Sequence, residues 1–281
     1  MTPAPPWVAE RTPQPYTFGP VPKAVEIRGA RRRFRTPRGL TGREETVLAL
    51  DGIDLSIEEG SFVALIGPSG CGKSTLLRII AGLDAPDEGT VEVAARGQHG
   101  QECEIAYVFQ DAHLLPWRSV ASNVALPLEL RGVPVEERDK AVRQALEEVE
   151  LTDAASRYPA ELSGGMRMRA SIARALVTRP KLLLMDEPFA ALDELTRQRL
   201  DERLLAVWRE HHLTVLFVTH AIFEATFLAE RALVFSRRPA RIVHDGRIEL
   251  PGPRTAATRG EPAFAREAGK LLAALEDGAG A

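Results

Sequence analysis

The 281-residue sequence predicts an α/β domain with a mainly parallel sheet, an antiparallel β portion and an inserted helical subdomain. Three observations carry this reading. Five apolar runs, "SFVALIG", "EIAYVFQ", "KLLLMDE", "TVLFVTH" and "ALVFS", have strand length and little polar alternation, as strands covered on both faces do. Longer helical patterns alternate with them. A glycine-rich loop, "GPSGCGKST", stands between the first run and a helix-forming stretch.

Taken in chain order, residues 1–24 are Pro-rich, lack periodicity and read as a tail. "VEIRGARRRF" through "LDGIDLSI" forms the antiparallel portion. Its arginine cluster, "RGARRRFRTPR", reads as a solvated strand edge and not as a nucleic-acid or lipid-phosphate patch, since the remainder of the chain is acidic. "SFVALIG" runs into the glycine-rich loop, and "KSTLLRIIAGL" follows as a helix with Gly82 as its stop signal. Residues from about 114 to 165 carry helical patterns, "VASNVALPLELRG" and "VEERDKAVRQALEEVEL", and form the inserted subdomain. The core domain spans residues 25–250. Residues 251–281 read as a second tail, in which "AFAREAGKLLAALED" has the spacing of one exposed helix.

Composition narrows the class. Apolar residues make up 44% and charged residues 27%, enough to bury a core. A net charge of -3 gives no global steering toward nucleic acid or anionic lipid. No apolar run approaches the roughly 18 residues of a membrane span, and the N-terminus does not read as a secretion signal. Cys71 and Cys103 fit neither a metal-ligand spacing nor a disulfide framework, which suits a reducing, cytosolic compartment.

Gly67 to Ser74 matches G-x-x-x-x-G-K-[ST] at every fixed position, and it lies between a strand and a helix, which disfavours a chance glycine-rich turn. Such a loop turns backbone N–H groups inward around phosphate oxygens, and the following helix adds its N-terminal dipole. The core is therefore expected to be that of a P-loop NTPase. Gly67, Pro68, Ser69, Gly70, Cys71, Gly72, Lys73, Ser74 and Thr75 are the candidate ATP-binding residues. Lys73 is expected to reach the β- and γ-phosphates and Ser74 to hold Mg²⁺. "KLLLMDEP" sets two carboxylates at the end of a buried strand, where they need a cation or a proton task. Asp186 is the candidate Mg²⁺ ligand and Glu187 the candidate general base.

With these motifs in order, the chain resembles the nucleotide-binding subunit of an ABC transporter, over roughly Val25 to Pro253. The resemblance implies a role for each further motif. Phe34 is the candidate adenine-stacking aromatic, with packing on the β portion as the alternative. Gln110, in "VFQDAHLLPW", senses Mg²⁺ and the γ-phosphate and couples to the membrane partner. "LSGGM", comprising Leu162, Ser163, Gly164, Gly165 and Met166, is the family signature. Asp193, in "ALD", lies in the loop that crosses to a second subunit. His220, in "FVTH", is the switch histidine beside the γ-phosphate and the attacking water. Alone, Gln110 and His220 would pass as ordinary polar residues at strand ends.

In such head-to-tail dimers the signature serves the neighbour's ATP, so two ATP molecules lie between two chains. The implied cofactors are ATP and Mg²⁺. The implied partners are a second copy, integral membrane permease subunits and, indirectly, a solute-binding protein, at the cytoplasmic face of the membrane and without nucleic acid. Three positions depart from the family pattern. Met168 stands where Gln is usual in "MRMRA" and cannot make the amide's hydrogen bonds, Ala190 replaces a usual Gly, and "AIFEA" follows His220.

The "LLPW" after Gln110 resembles importers of nitrate, sulfonates and taurine. Trp117 is either a wall of the permease-docking groove or a buried structural residue. Two other classes compete: a soluble ABC ATPase in cofactor assembly or another cytosolic process, and a catalytically silent ATP-binding module. The "LLPW" stretch disfavours the first, and intact Lys73, Asp186, Glu187 and His220 disfavour the second.

Overall fold

The structure, a computed structural model, describes residues 22–38, 43–96, 104–190 and 192–280. Cys103, Ala191 and most of the expected N-terminal tail lie outside the described residues. Lys23 and Ala24, assigned to that tail, instead belong to a strand.

Strands β1 (Lys23–Arg38), β2 (Arg43–Glu58) and β4 (Glu88–Val93) form an antiparallel sheet in the order β2-β1-β4. The larger sheet comprises β3 (Phe62–Ile66), β5 (Ile105–Val108), β6 (Leu182–Asp186), β7 (Thr214–Thr219), β8 (Arg231–Phe235) and β9 (Ile242–Arg247). Its order is β5-β6-β7-β3-β8-β9, parallel except for the last pair. The five apolar runs are β3, β5, β6, β7 and β8.

The side-chain period of two splits the core between the sheet's faces. Phe62, Ala64 and Ile66 of β3 pack with Val215 and Phe217 of β7 and with Leu183 and Met185 of β6. Val63 and Leu65, with Leu216, Val218, Leu182 and Leu184, face the other way. The second face is covered by the antiparallel sheet and by α1 (Lys73–Ala81), which Gly82 closes in the left-handed conformation at φ +77°.

Between β5 and β6 lie α2 (Val120–Leu130), α3 (Val135–Glu148) and α4 (Gly164–Leu176). The helical insertion thus runs past the expected limit near residue 165, because α4 packs on α2 and α3. Arg174 of α4 donates to the carbonyl oxygens of Ala112 (2.9 Å) and His113 (2.8 Å), tying that helix to the segment after β5. Met168 is buried in the core, so the position that departs from the family pattern faces apolar neighbours.

After β6 come α5 (Glu194–His211), α6 (Ile222–Leu228) and α7 (Pro262–Gly280). The helix expected to be exposed in the C-terminal tail is instead packed against the sheet. Helix α7 packs on α6, β8 and β9, burying Phe264, Ala268 and Leu271, and Phe264 stacks on Phe223 at 6.0 Å. Just before it, Arg259 reaches Asp201 of α5 at 2.7 Å and lies 3.5 Å from the centre of the Phe227 ring. The segment is part of the domain.

Three arginines of the cluster make ion pairs with β2, with β4 and with the turn that precedes β4. Arg31 meets Asp51 and Glu88, Arg32 meets Asp84 and Asp87, and Arg33 meets Glu88. These three arginines are thus compensated by carboxylates among the described residues. No described helix is long and apolar enough to cross a membrane.

Candidate nucleotide-binding site

The glycine-rich loop leaves the C-terminal end of β3 and enters α1, the position where parallel α/β sheets bind ligands. Gly70 (φ +72°) and Gly72 (φ +136°) adopt backbone angles that other residues rarely take. Gly67 is pressed on Phe235: a Cβ there would stand 3.0 Å from that residue's Cβ and carbonyl oxygen. Lys73 is buried, and its ammonium donates to the carbonyl oxygens of Gly67 (2.8 Å) and Pro68 (2.9 Å). Ser69 and Gly70 are exposed, Cys71 is buried, and Pro68, Ser74 and Thr75 are half-buried.

Two further strand ends converge on this loop. Ser74 Oγ donates to Asp186 Oδ1 at 2.9 Å, joining the start of α1 to the end of β6. Tyr107 of β5, which the motifs do not single out, donates its hydroxyl to Asp186 Oδ2 at 3.3 Å. Burial raises the Asp186 pKa above the usual carboxylate value, while the bonds from Ser74 and Tyr107 oppose that shift. Glu187 follows in the left-handed region at φ +48°, with its N–H bonded to Val218 O at 3.0 Å. Such backbone is strained for a non-glycine residue and recurs at functional sites. Its Oε2 lies 3.2 Å from Nδ1 of His220, which is exposed at the end of β7.

Glu224, also unassigned by the motifs, sits behind His220. It is buried and accepts the hydroxyl of Thr219, whose Oγ1 in turn accepts the N–H of Ala221 at 3.0 Å. The two residues flanking His220 are thereby bonded to each other. Burial pushes the Glu224 pKa up to about 7 and that of Asp201 to about 8. Arg197 and His220 oppose the Glu224 shift, and Glu194 adds to it.

This gives a pH dependence of stability. Below pH ~4.5 both the folded and unfolded chains hold the Glu224 proton. Between ~4.5 and ~7 only the folded chain does, so stability falls as pH rises. Above that window the full cost of the buried charge remains, on the order of 1–3 kcal/mol. Thermal melts of the wild type should therefore show a decline from pH 5 to 8, and Glu224→Gln should flatten part of it. An identical slope in the variant would remove Glu224 from this account.

The signature residues lie elsewhere in the chain's own surface. Ser163 caps α4 by accepting the N–H of Met166 at 3.2 Å, and Gly164 and Gly165 form the first turn. Leu162 is buried beneath them, Ser163 and Gly164 are exposed, and Gly165 and Met166 are half-buried. A Cβ on Gly165 would stand 2.6 Å from Leu192 Cδ2, so the signature abuts the loop carrying Asp193. Asp193 itself caps α5, accepting the N–H of Thr196 at 3.0 Å. Among the described residues, no hydrogen bond joins Ser163, Gly164 or Gly165 to the loop from Gly67 to Thr75.

Gln110 is exposed just beyond β5. Phe34 is 39% exposed on β1, with the Arg32 guanidinium 4.9 Å from its ring centre. Trp117 is 71% exposed, which settles against a buried structural role.

A phosphate-cradling loop, a serine on the first turn of its helix and a strand-end Asp-Glu pair together define a P-loop nucleoside triphosphatase. Comparison with known proteins narrows the class. The ABC transporter family pattern matches residues 50–190. The nitrate import ATP-binding protein NrtD of Synechocystis sp. is 42% identical over 244 residues, covering 85% of this chain and 92% of its own. The aliphatic sulfonates import ATP-binding protein SsuB of Burkholderia ambifaria is 45% identical over 237 residues, covering 82% and 71% respectively. A dimeric, post-hydrolysis structure of the ATP-binding cassette MJ0796 bound to ADP and Pi superimposes with a TM-score of 0.71 at 32% identity, covering 81% of this chain and all of that one. The chain belongs to the ABC transporter ATP-binding family, whose members are ATPase cassettes.

Proposed function

We propose that this protein is the ATP-hydrolysing subunit of an importer for a small anionic or organic solute, of the nitrate, sulfonate or taurine kind. It acts as a head-to-tail dimer with two ATP molecules at the interface. The observation that carries the reading is the Glu187–His220 contact beside a complete phosphate loop, in a chain similar over most of its length to import ATP-binding proteins.

In this reading Lys73 exchanges its bonds to Gly67 and Pro68 for β- and γ-phosphate oxygens, and the loop's N–H groups hold the rest of the chain of phosphates. Phe34 stacks on the adenine. Ser74 Oγ and Asp186 Oδ1 are neighbouring hard oxygen donors and suit Mg²⁺, with Gln110 as a third group. Bound there, Mg²⁺ would offset charge on the phosphate oxygens. Glu187 accepts a proton from the attacking water, and His220 orients that water and the γ-phosphate. Ser163, Gly164 and Gly165 offer the N-terminal dipole of α4 to the γ-phosphate bound by the partner, with Leu162 and Met166 bracketing the turn and Asp193 beside it. ATP closes the dimer because the γ-phosphate then contacts both chains, and hydrolysis removes that bridge.

The partners in this reading are a second copy and integral membrane permease subunits, at the cytoplasmic face of the membrane, with a solute-binding protein upstream. Exposed Trp117 lies seven residues from Gln110, on the stretch expected to meet the permease. The test is a pull-down of tagged Glu187→Gln with ATP and Mg²⁺ from gently solubilised host membranes, read by mass spectrometry. A multispanning membrane protein is the expected catch. Recovery of soluble partners alone, with the protein absent from membranes, would favour a cytosolic ABC ATPase.

A further inference from the structure

The end of β8 and the turn that follows it touch the phosphate loop at three places. Phe235 lies under Gly67, Ala240 lies beside Gly72, and Arg238 grips the middle. Its Nε and Nη2 both donate to the carbonyl oxygen of Gly70, at 3.1 and 2.6 Å. The turn is itself firmly held. Ser236 Oγ accepts the N–H of Arg241 and lies within donating distance of Arg237 O (2.9 Å) and Pro239 O (3.1 Å), while Ala240 exchanges backbone bonds with Ala49 and Asp51 of β2.

We propose that Arg238 is a positioning residue for ATP affinity, fixing the phosphate loop in its binding conformation and adding a cation at its rim; this rests on the nucleotide-site reading above. The Gly70–Cys71 peptide unit is planar and turns as one plate. With its carbonyl held outward by Arg238, the Cys71 N–H is directed into the loop, 3.3 Å from Pro68 O. Gly70 is exposed at φ +72° and has no side chain to fix it, so the guanidinium supplies the restraint that the loop's own sequence lacks. The charge is also uncompensated. Unlike Arg31, Arg32 and Arg33, Arg238 meets no carboxylate among the described residues, so its field acts on whatever anion the loop binds.

The experiment measures steady-state ATPase kinetics and melting temperature of the full chain as wild type, Arg238→Ala, Arg238→Lys and Lys73→Ala. Arg238→Ala should raise KM for ATP about 3- to 10-fold, the scale of one net hydrogen bond, with kcat and melting temperature little changed. Arg238→Lys keeps the charge without the two-pronged grip, and its KM should fall between the two. An unchanged KM in Arg238→Ala, with Lys73→Ala inactive, overturns the proposal. So does a fall in kcat that tracks a fall in melting temperature at constant KM, which marks a merely structural turn. Full ATP affinity and activity in Lys73→Ala would instead overturn the nucleotide-site reading on which the proposal stands.

Discussion

Glu187→Gln should bind ATP with Mg²⁺, hydrolyse it at least about 100-fold more slowly than wild type and accumulate as a dimer. The substitution changes one atom of the side chain and leaves its size and its reach to His220 nearly intact. It removes the only property that a general base requires, since an amide does not take the water's proton at neutral pH. The backbone around Glu187 is fixed from both sides, by its strained φ of +48° and by the bond from its N–H to Val218 O. The variant should therefore keep the wild-type geometry and lose only the chemistry. Phosphate release measures the first effect, and light scattering with saturating ATP and Mg²⁺ measures the second. Wild-type turnover would remove Glu187 from the base role. A slow variant that stays monomeric would count against the sandwich for the isolated subunit.

Gly72→Ala should lower ATP affinity by about 10- to 100-fold, from strain on the scale of 1–3 kcal/mol, and should lower the melting temperature as well. A φ of +136° is outside the range of L side chains, and the space is also taken. A Cβ would stand 2.8 Å from Ala49 O, 3.0 Å from Leu50 Cδ2 and 3.1 Å from Ala240 Cβ. Two of these neighbours are backbone or backbone-anchored, so the loop has to move instead. Gly29→Ala is the matched control. Its φ of +58° is also positive, yet a Cβ there meets nothing within 4 Å, and the site lies on β1 away from the loop. Equal nucleotide affinity in Gly72→Ala and wild type, by titration of a fluorescent ATP analogue, would show that the loop tolerates the shift.

The sequence made the interior of the large sheet legible because strands buried on both faces need continuous apolar residues, and β3, β6 and β7 have them. It left β4, "EGTVEV", and β9, "IVHDGR", unread: both are edge strands whose polar alternation resembles loop composition. The C-terminal segment misled for a related reason. Its proline, glycine and alanine content resembles a linker, while the contacts that dock it, through Phe264 and Arg259, join residues far apart in the chain. Among the candidate site residues, the phosphate loop, the Asp-Glu pair and the signature carry local spacing that betrays them. Tyr107, Glu224 and Arg238 have no such spacing. Arg238 meets Gly70 across 168 positions, and only the pairing of β8 beside β3 brings them together.

Helix α4 carries Ser163 at one end and Arg174 near the other, with Arg174 fastened to Ala112 and His113. At 1.5 Å per residue the helix spans about 20 Å with no glycine or proline to bend it after its first turn. In the proposed dimer it would link the two ends as one rigid rod. On the proposed reading, a partner that docks against the stretch after Gln110 and shifts those two carbonyls would also tilt the tip that meets a neighbouring nucleotide. Linkage then requires reciprocity: the factor by which docking alters nucleotide affinity equals the factor by which nucleotide alters docking.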